Sequence, residues 1–195
     1  MTQTLLRADE PILIDSLTWR EFKAAEQLID RPGVRLSFLD GILEIRRMPG
    51  EKHETIKERI GTLLDLYLLQ LGIDYTPTGA MTLESEEGLV KREADKSYKF
   101  APSQDNPDLA IEVVITSGGI DELKAYRRLR IPEVWFWQNG EIAIYRLRKV
   151  AQTVSYEKLS ASDLLPGLNI DLLSECINID NHVDAVRLFR RSLLN

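Results

Sequence analysis

Eight residues, Asp108-Leu-Ala-Ile-Glu-Val-Val-Ile, constrain the fold of this chain more than any other stretch. In a strand, side chains two apart share a face, so Asp108, Ala110, Glu112 and Val114 look one way and Leu109, Ile111, Val113 and Ile115 the other. A run that is apolar on both faces belongs to a central strand covered on both sides, which calls for layered α/β architecture. Glu112 breaks the pattern. A carboxylate in mid-strand at such a place is costly unless it is paired, protonated or bound to a metal.

The segments around it supply the layers. Thr18 with Glu21 three residues later predicts a capping box and a helix running to about Asp30, stopped by Arg31-Pro-Gly. Asp40-Gly41 between Val34–Leu39 and the run starting at Ile42 predicts a hairpin. A long helix is predicted from Glu51 to Gly72, with Ile56, Ile60, Leu64, Tyr67, Leu68 and Leu71 on its inward stripe and His53 on the same stripe. Ala80–Leu83 reads as a strand, Glu84–Arg92 as a loop and Glu93–Phe100 as one strand. After the central strand come a short helix over Ile120–Leu129 and a hairpin of Glu133–Trp137 and Glu141–Leu147 about Gln138-Asn-Gly. An edge strand over Val154–Leu159 and a turn over Ser160–Gly167 follow. A final helix is predicted over Asn181–Leu194, with Val183, Val186 and Phe189 inward. Residues 1–15 read as a loose lead-in.

The sequence has 195 residues, 44% hydrophobic and 29% charged, enough for a packed core. One domain over 1–195 is expected, with a helix and hairpin in 1–50, a core in 51–150 and an extension in 151–195. The net charge of −6 argues against a nucleic-acid coat protein and leaves room for a local basic cleft. Cys176 is the sole cysteine, which excludes a disulfide framework and a cysteine zinc site. There is no apolar run of about 18 residues and no leader-like N-terminus, so a cytoplasmic protein without a membrane span is expected.

Asp95, near the start of the strand before the central one, is the natural companion of Glu112. If the two strands are neighbours, both carboxylates can face one divalent cation of the magnesium or manganese type. The alternative is an exposed turn acid at Asp95 and a Glu112 paired with a nearby Arg or Lys. For His53 the alternative to a site role is a core-edge ring bonded to a backbone carbonyl.

Taken together, several segments carry a resemblance. They are Pro32-Gly-Val-Arg-Leu, Leu39-Asp-Gly, His53-Glu54, Gly79-Ala-Met-Thr, Glu93-Ala-Asp and Pro107-Asp-Leu-Ala-Ile-Glu-Val-Val. Thr116-Ser-Gly-Gly-Ile-Asp, Pro132-Glu-Val-Trp-Phe-Trp and Leu164-Leu-Pro-Gly-Leu complete them. The chain resembles the Uma-type restriction endonuclease family, a branch of the PD-(D/E)XK nuclease superfamily. The resemblance implies a restriction-endonuclease-like core, with a mixed, strongly twisted sheet flanked by helices. It implies hydrolysis of DNA phosphodiesters with magnesium (or manganese), Asp95 and Glu112 as metal-binding catalytic acids, and His53 near the site; a homodimer is expected besides.

Two departures stand out. The position two residues after the glutamate, lysine in the superfamily name, is Val114. The position at which the Uma-type family places its lysine on the following helix is Glu122, and Lys124 lies two residues on, about 200° around a helix. Lys124 is therefore the candidate for orienting water and offsetting negative charge. The alternative is a catalytically silent protein that binds nucleic acid or a protein partner. Ala94 also replaces the proline that usually precedes the aspartate. Asp108 reads as a turn or capping residue, Gly118-Gly119 as a tight turn or phosphate approach, and Arg127, Arg128 and Arg130 as a solvated helix face or phosphate grip. Trp135 and Trp137 read as core and interface residues.

Overall fold

A computed structural model describes residues 11–100, 105–115 and 119–194. In chain order the first elements are β1 (Ile12–Ile14), α1 (Trp19–Ile29), β2 (Val34–Leu39), β3 (Ile42–Arg47) and α2 (Glu51–Leu71). Then come β4 (Thr76–Pro77), β5 (Thr82–Ser85), β6 (Val90–Glu93), β7 (Lys96–Lys99), β8 (Leu109–Val114) and α3 (Glu122–Arg128). The chain closes with β9 (Glu133–Gln138), β10 (Glu141–Val150), β11 (Thr153–Leu159), α4 (Ile170–Asn178) and α5 (His182–Ser192). The class is α/β. These elements fall into two compact units, one from residues 1–49, 82–93 and 116–129, the other from 50–81, 94–115 and 130–195.

The first unit holds a five-stranded antiparallel sheet in the order β1-β3-β2-β6-β5. The β2–β3 hairpin turns on Asp40 and Gly41, both at positive φ, as a two-residue loop matched to strand twist requires. Helix α1 lays Phe22 on Phe38 of β2, ring centroids 4.5 Å apart, and Trp19 edges against the same ring. Thr18 Oγ1 accepts from Glu21 N while the Glu21 carboxylate accepts from Thr18 N, so the capping box forms as the sequence predicts. Thr18→Ala is expected to cost about 1 kcal/mol of stability, read from denaturant midpoints.

The second unit holds a six-stranded sheet, β11-β10-β9-β8-β7-β4, mixed because β8 and β9 run parallel. Helix α2 covers one face of it. Ile60, Leu63, Leu64 and Leu68 join Ile111, Val113, Trp135 and Trp137 in a core completed by α4 and α5. Gly72, at positive φ, ends α2 by donating to Leu68 O and Leu69 O. The β9–β10 turn uses Asn139 and Gly140, also at positive φ.

Several expectations change. The strand expected over Glu93–Phe100 is broken at Ala94-Asp95, with β6 in one sheet and β7 in the other. Part of the expected loop over Glu84–Arg92 is a hairpin, β5 paired with β6, because Val90 and Arg92 bury while Lys91 and Glu93 face outward. Leu71 and Val183 are exposed, since each lies in an end turn of its helix. Helix α4 was not anticipated, although Leu172, Leu173, Cys176 and Ile177 have helical spacing and Asn169 caps it. Of the loose lead-in expected over residues 1–15, Ile12–Ile14 instead form β1, paired with β3, while residues 1–10 and the reading of Gly118 fall outside the described residues.

Candidate active site

The break at Ala94-Asp95 has a chemical consequence. Strand β7 pairs with β8 through Lys96↔Ile111 and Ser97↔Ala110, and continuing that register by one residue sets Asp95 opposite Glu112. Asp95 sits in a bend and is free of regular strand geometry, so its side chain can fold onto the neighbouring strand. Asp95 Oδ2 accepts from Val113 N at 2.8 Å, the peptide nitrogen adjoining Glu112. The same oxygen lies 2.9 Å from His53 Nε2. Asp95 and Glu112 are each 3% exposed and His53 8%. The second unit thus brings together three of the four candidates, from α2, the 94–95 bend and β8.

His53 is there because of helical spacing. It lies seven residues before Ile60, two turns up the stripe that enters the core, so its ring is carried onto the sheet. Its Nδ1 is buried and makes no hydrogen bond, though Glu54 Oε1 is 3.4 Å away, within ion-pair range. Burial acts to raise Glu54, but the Lys57 ammonium and His53 outweigh it and hold its carboxyl below the usual range. Lys57 pairs with Glu54, and Lys96 lies across Gly61 with its ammonium 3.0 Å from Glu58 Oε2. The α2 flank of the acids is therefore lined with matched charges.

Among the described residues, no three histidine, cysteine, aspartate or glutamate side chains converge as a ready metal cage. The nearest oxygen donors are the carboxylate of Asp95 and, one peptide along from the Val113 N that Asp95 accepts from, the buried Glu112 of β8. That set suits a hard cation that keeps several positions for water and phosphate, as magnesium does, and does not suit a closed zinc site.

Lys124 belongs to the first unit. Its ammonium is 2.8 Å from Asp40 Oδ2, and Arg128 reaches the same carboxylate at 3.1 Å. Burial acts to raise Asp40, but these two cations prevail and hold it below its ordinary value. Glu122 accepts from Arg92 NH2 at 2.6 Å. Arg92 also approaches Glu44, 1% exposed on β3, whose Oε2 takes Ile120 N at 2.9 Å and Arg46 NH2 at 3.2 Å. Gly119 leaves room for this cluster: a Cβ there would stand 1.9 Å from Glu44 Oε2. Residues Arg92, Glu44 and Glu122 thus form an ion network that fastens the start of α3 within its unit.

Glu44 was not singled out, and neither was Glu133, although both are mid-chain acids among apolar neighbours as Glu112 is. Glu133, fully buried, accepts from Trp135 Nε1 at 2.7 Å, Ser162 Oγ at 2.6 Å and Asp163 N at 3.1 Å. These contacts make it a structural acid. Asp108 accepts from Phe100 N at 2.8 Å, the turn role expected of it. Trp135 and Trp137 are core residues.

Comparison with known proteins adds a family match and a likeness of fold. The sequence profile of the Uma2 family, described as "Putative restriction endonuclease", matches residues 19–173. No match was found among curated proteins. Among solved structures, a putative nuclease belonging to DUF820 from Anabaena variabilis ATCC 29413 is similar with a TM-score of 0.50. The two are 15% identical over 89% of this chain and 99% of the other, a likeness of fold.

Proposed function

Because the chain belongs to the Uma2 family of putative restriction endonucleases, we propose that it is a nuclease that hydrolyses DNA phosphodiester bonds with magnesium, or manganese, at Asp95 and Glu112. One observation carries the reading: a buried aspartate is turned by a strand break onto the peptide beside a buried strand glutamate, and is fixed there by His53. A magnesium ion held by such a pair supplies water activation and charge stabilisation at phosphorus. The chain's own groups do the rest. Val113 N and His53 Nε2 fix Asp95 Oδ2 and so set the direction of the carboxylate. Orienting partners of this kind typically govern ligand affinity by 10–100-fold. His53→Gln is accordingly expected to lower the cleavage rate about 10–100-fold and to raise the magnesium concentration needed for half-maximal rate. An unchanged metal requirement would remove His53 from this role.

The primary test incubates the wild type and Glu112→Ala with plasmid and with single-stranded DNA in magnesium or manganese. Equal background from both proteins would refute the reading. The same reading expects a cytoplasmic homodimer, its oligomeric state checked by light scattering. No described helix is long and apolar enough to cross a membrane.

One observation favours a second reading, a catalytically silent protein that binds nucleic acid or a protein partner. Lys124 is engaged by Asp40, and the family's lysine position holds Glu122, tied to Arg92. Metal-dependent DNA binding without turnover would select this reading, and wild-type cleavage would dismiss it.

A further inference from the structure

The second unit contains a cleft of about 670 Å³ at the carboxyl ends of the parallel strands β8 and β9. Crevices beyond the carboxyl ends of parallel strands are where α/β sheets place ligands, and the volume lies within the range of small-molecule sites. Lys52, Thr55 and Arg59 of α2 form one wall, at the i, i+3, i+7 spacing of a single helical stripe. Val114 and Trp137 are apolar lining, and Asn178 presents an amide from α4.

The chemistry of the walls is divided. At one end is the start of α2, whose N-cap Gly50 offers no side chain to its first-turn amides, with exposed Lys52 and Glu51 beside them. An uncapped helix start next to an ammonium attracts an anion such as phosphate. Arg59 is a second, independent feature. It is 5% exposed, its terminal nitrogens donate to Ile177 O at 2.8 Å, to Ile179 O and to Asp180 O at 2.9 Å, and its buried Nε makes no hydrogen bond. The guanidinium lines the cleft and, with Lys52, sets two cations against the two carboxylates of the same lining, Glu51 and Asp180. At the other end Asn178 spends its amide hydrogens on Gly140 O at 2.8 Å and Ser174 O at 2.9 Å, leaving Oδ1 as an acceptor. Phosphate attraction, an apolar lining and an amide acceptor are the requirements of a nucleotide.

We propose that this cleft binds one unpaired nucleotide of a nucleic-acid strand, its phosphate toward Lys52 and its base along Val114 toward Asn178. The proposal rests on the nuclease reading for its place in catalysis. Val114 is two residues beyond Glu112, about 7 Å along β8 at about 3.3 Å per residue, and His53 and Lys52 are neighbours on α2. A strand seated in the cleft therefore runs alongside the acids. A base enclosed in the cleft has left its stack, so the preferred substrate is single-stranded or locally opened nucleic acid.

The test is binding in EDTA, where no cleavage occurs. Calorimetry with a deoxynucleoside 5′-monophosphate and fluorescence anisotropy with a short single-stranded oligonucleotide are run on four full-length proteins. These are the wild type, Thr55→Trp to fill the cleft, Lys52→Glu to repel phosphate, and Lys158→Glu, the same charge change at an exposed position outside the cleft. Thr55 and Lys52 are exposed, and circular dichroism confirms that the variants fold. Both ligands are expected to bind the wild type and Lys158→Glu equally, and to weaken at least about tenfold, 1.4 kcal/mol, in Thr55→Trp and Lys52→Glu. Wild-type affinity in both cleft variants overturns the proposal. So does preference for a closed duplex over the single strand, or binding of the mononucleotide without the oligonucleotide. The two readings fail separately. Strand binding lost in Thr55→Trp with no wild-type cleavage refutes the nuclease and upholds the cleft. Equal cleavage of plasmid by the wild type and Thr55→Trp does the reverse.

Discussion

Glu112→Ala and Asp95→Ala are each expected to lower the rate of magnesium-dependent cleavage by about 10²–10³-fold, the usual cost of removing one preorganised electrostatic partner of the transition state. The two losses should not add, because either carboxylate alone cannot hold the ion, and the double variant should match the single ones. Each variant also carries a readout independent of turnover. An ion that binds only the folded protein stabilises it by RT ln(1 + [L]/Kd), about 2.7 kcal/mol at a hundredfold excess over Kd. Magnesium should raise the melting temperature of the wild type and leave both variants unmoved. EDTA should abolish cleavage, and added magnesium should restore it. If Glu112→Ala retained the magnesium-induced rise, the carboxylate would be a structural acid like Glu133.

The largest stability effect should come from the other unit. Glu44 is almost fully buried, and its oxygens receive Ile120 N and Arg46, with Arg92 NH1 3.5 Å away. Removing one member of a buried ion network strands the remaining charges, at about 3–5 kcal/mol. Glu44→Ala should therefore lose about that much by denaturant titration. Glu122→Ala should lose less, because its carboxylate is one-fifth exposed and solvent can replace it at Arg92. A loss below about 1 kcal/mol for Glu44→Ala would show that the network contributes little to folding. Gly119→Ala offers a second reading of the same cluster, since the new methyl would meet Glu44 Oε2 and Arg46 NH2.

Local rules carried much of the architecture. The capping box at Thr18, the Asp40-Gly41 and Asn139-Gly140 turns, and the start and stop of α2 at Glu51 and Gly72 all follow from a few adjacent residues. These signals were legible because each acts over one helical turn or one hairpin. Where α2 and β8 bury their apolar stripes was legible for the same reason. The break at Ala94-Asp95 was not, because it reflects the passage of the chain from one sheet to another, and nothing in Glu93-Ala-Asp-Lys announces which sheet receives each side. The glutamates show the same limit. A buried strand carboxylate is visible in sequence as an interruption of apolar residues, which made Glu112 conspicuous. What makes Glu44 and Glu133 structural is the identity of partners brought from distant segments, Ile120, Arg92 and Arg46 for one and Ser162 and Asp163 for the other. Periodicity reports burial and is silent about partners. Lys124 illustrates the point from the side of the cation: its spacing from Glu122 could be counted, but its engagement by Asp40 depends on the turn of a hairpin more than eighty residues earlier.

The partition of the chain between its two units has a kinetic corollary. The backbone passes from one unit to the other at 49/50, 81/82, 93/94, 115/116 and 129/130. Pairing Phe38 with Lys91 closes a loop that includes the whole of α2, and the start of α3 meets Glu44 only after β8 has been traversed. Loop closure has to be met before such contacts return free energy, which slows folding of interleaved topologies. On a ribosome, the five-stranded sheet stays incomplete until β6 has emerged, and its ion network until α3 has. A stop codon or nick anywhere between residues 50 and 115 leaves both units without an essential piece, so this protein cannot be shortened to either one by cutting at a single boundary.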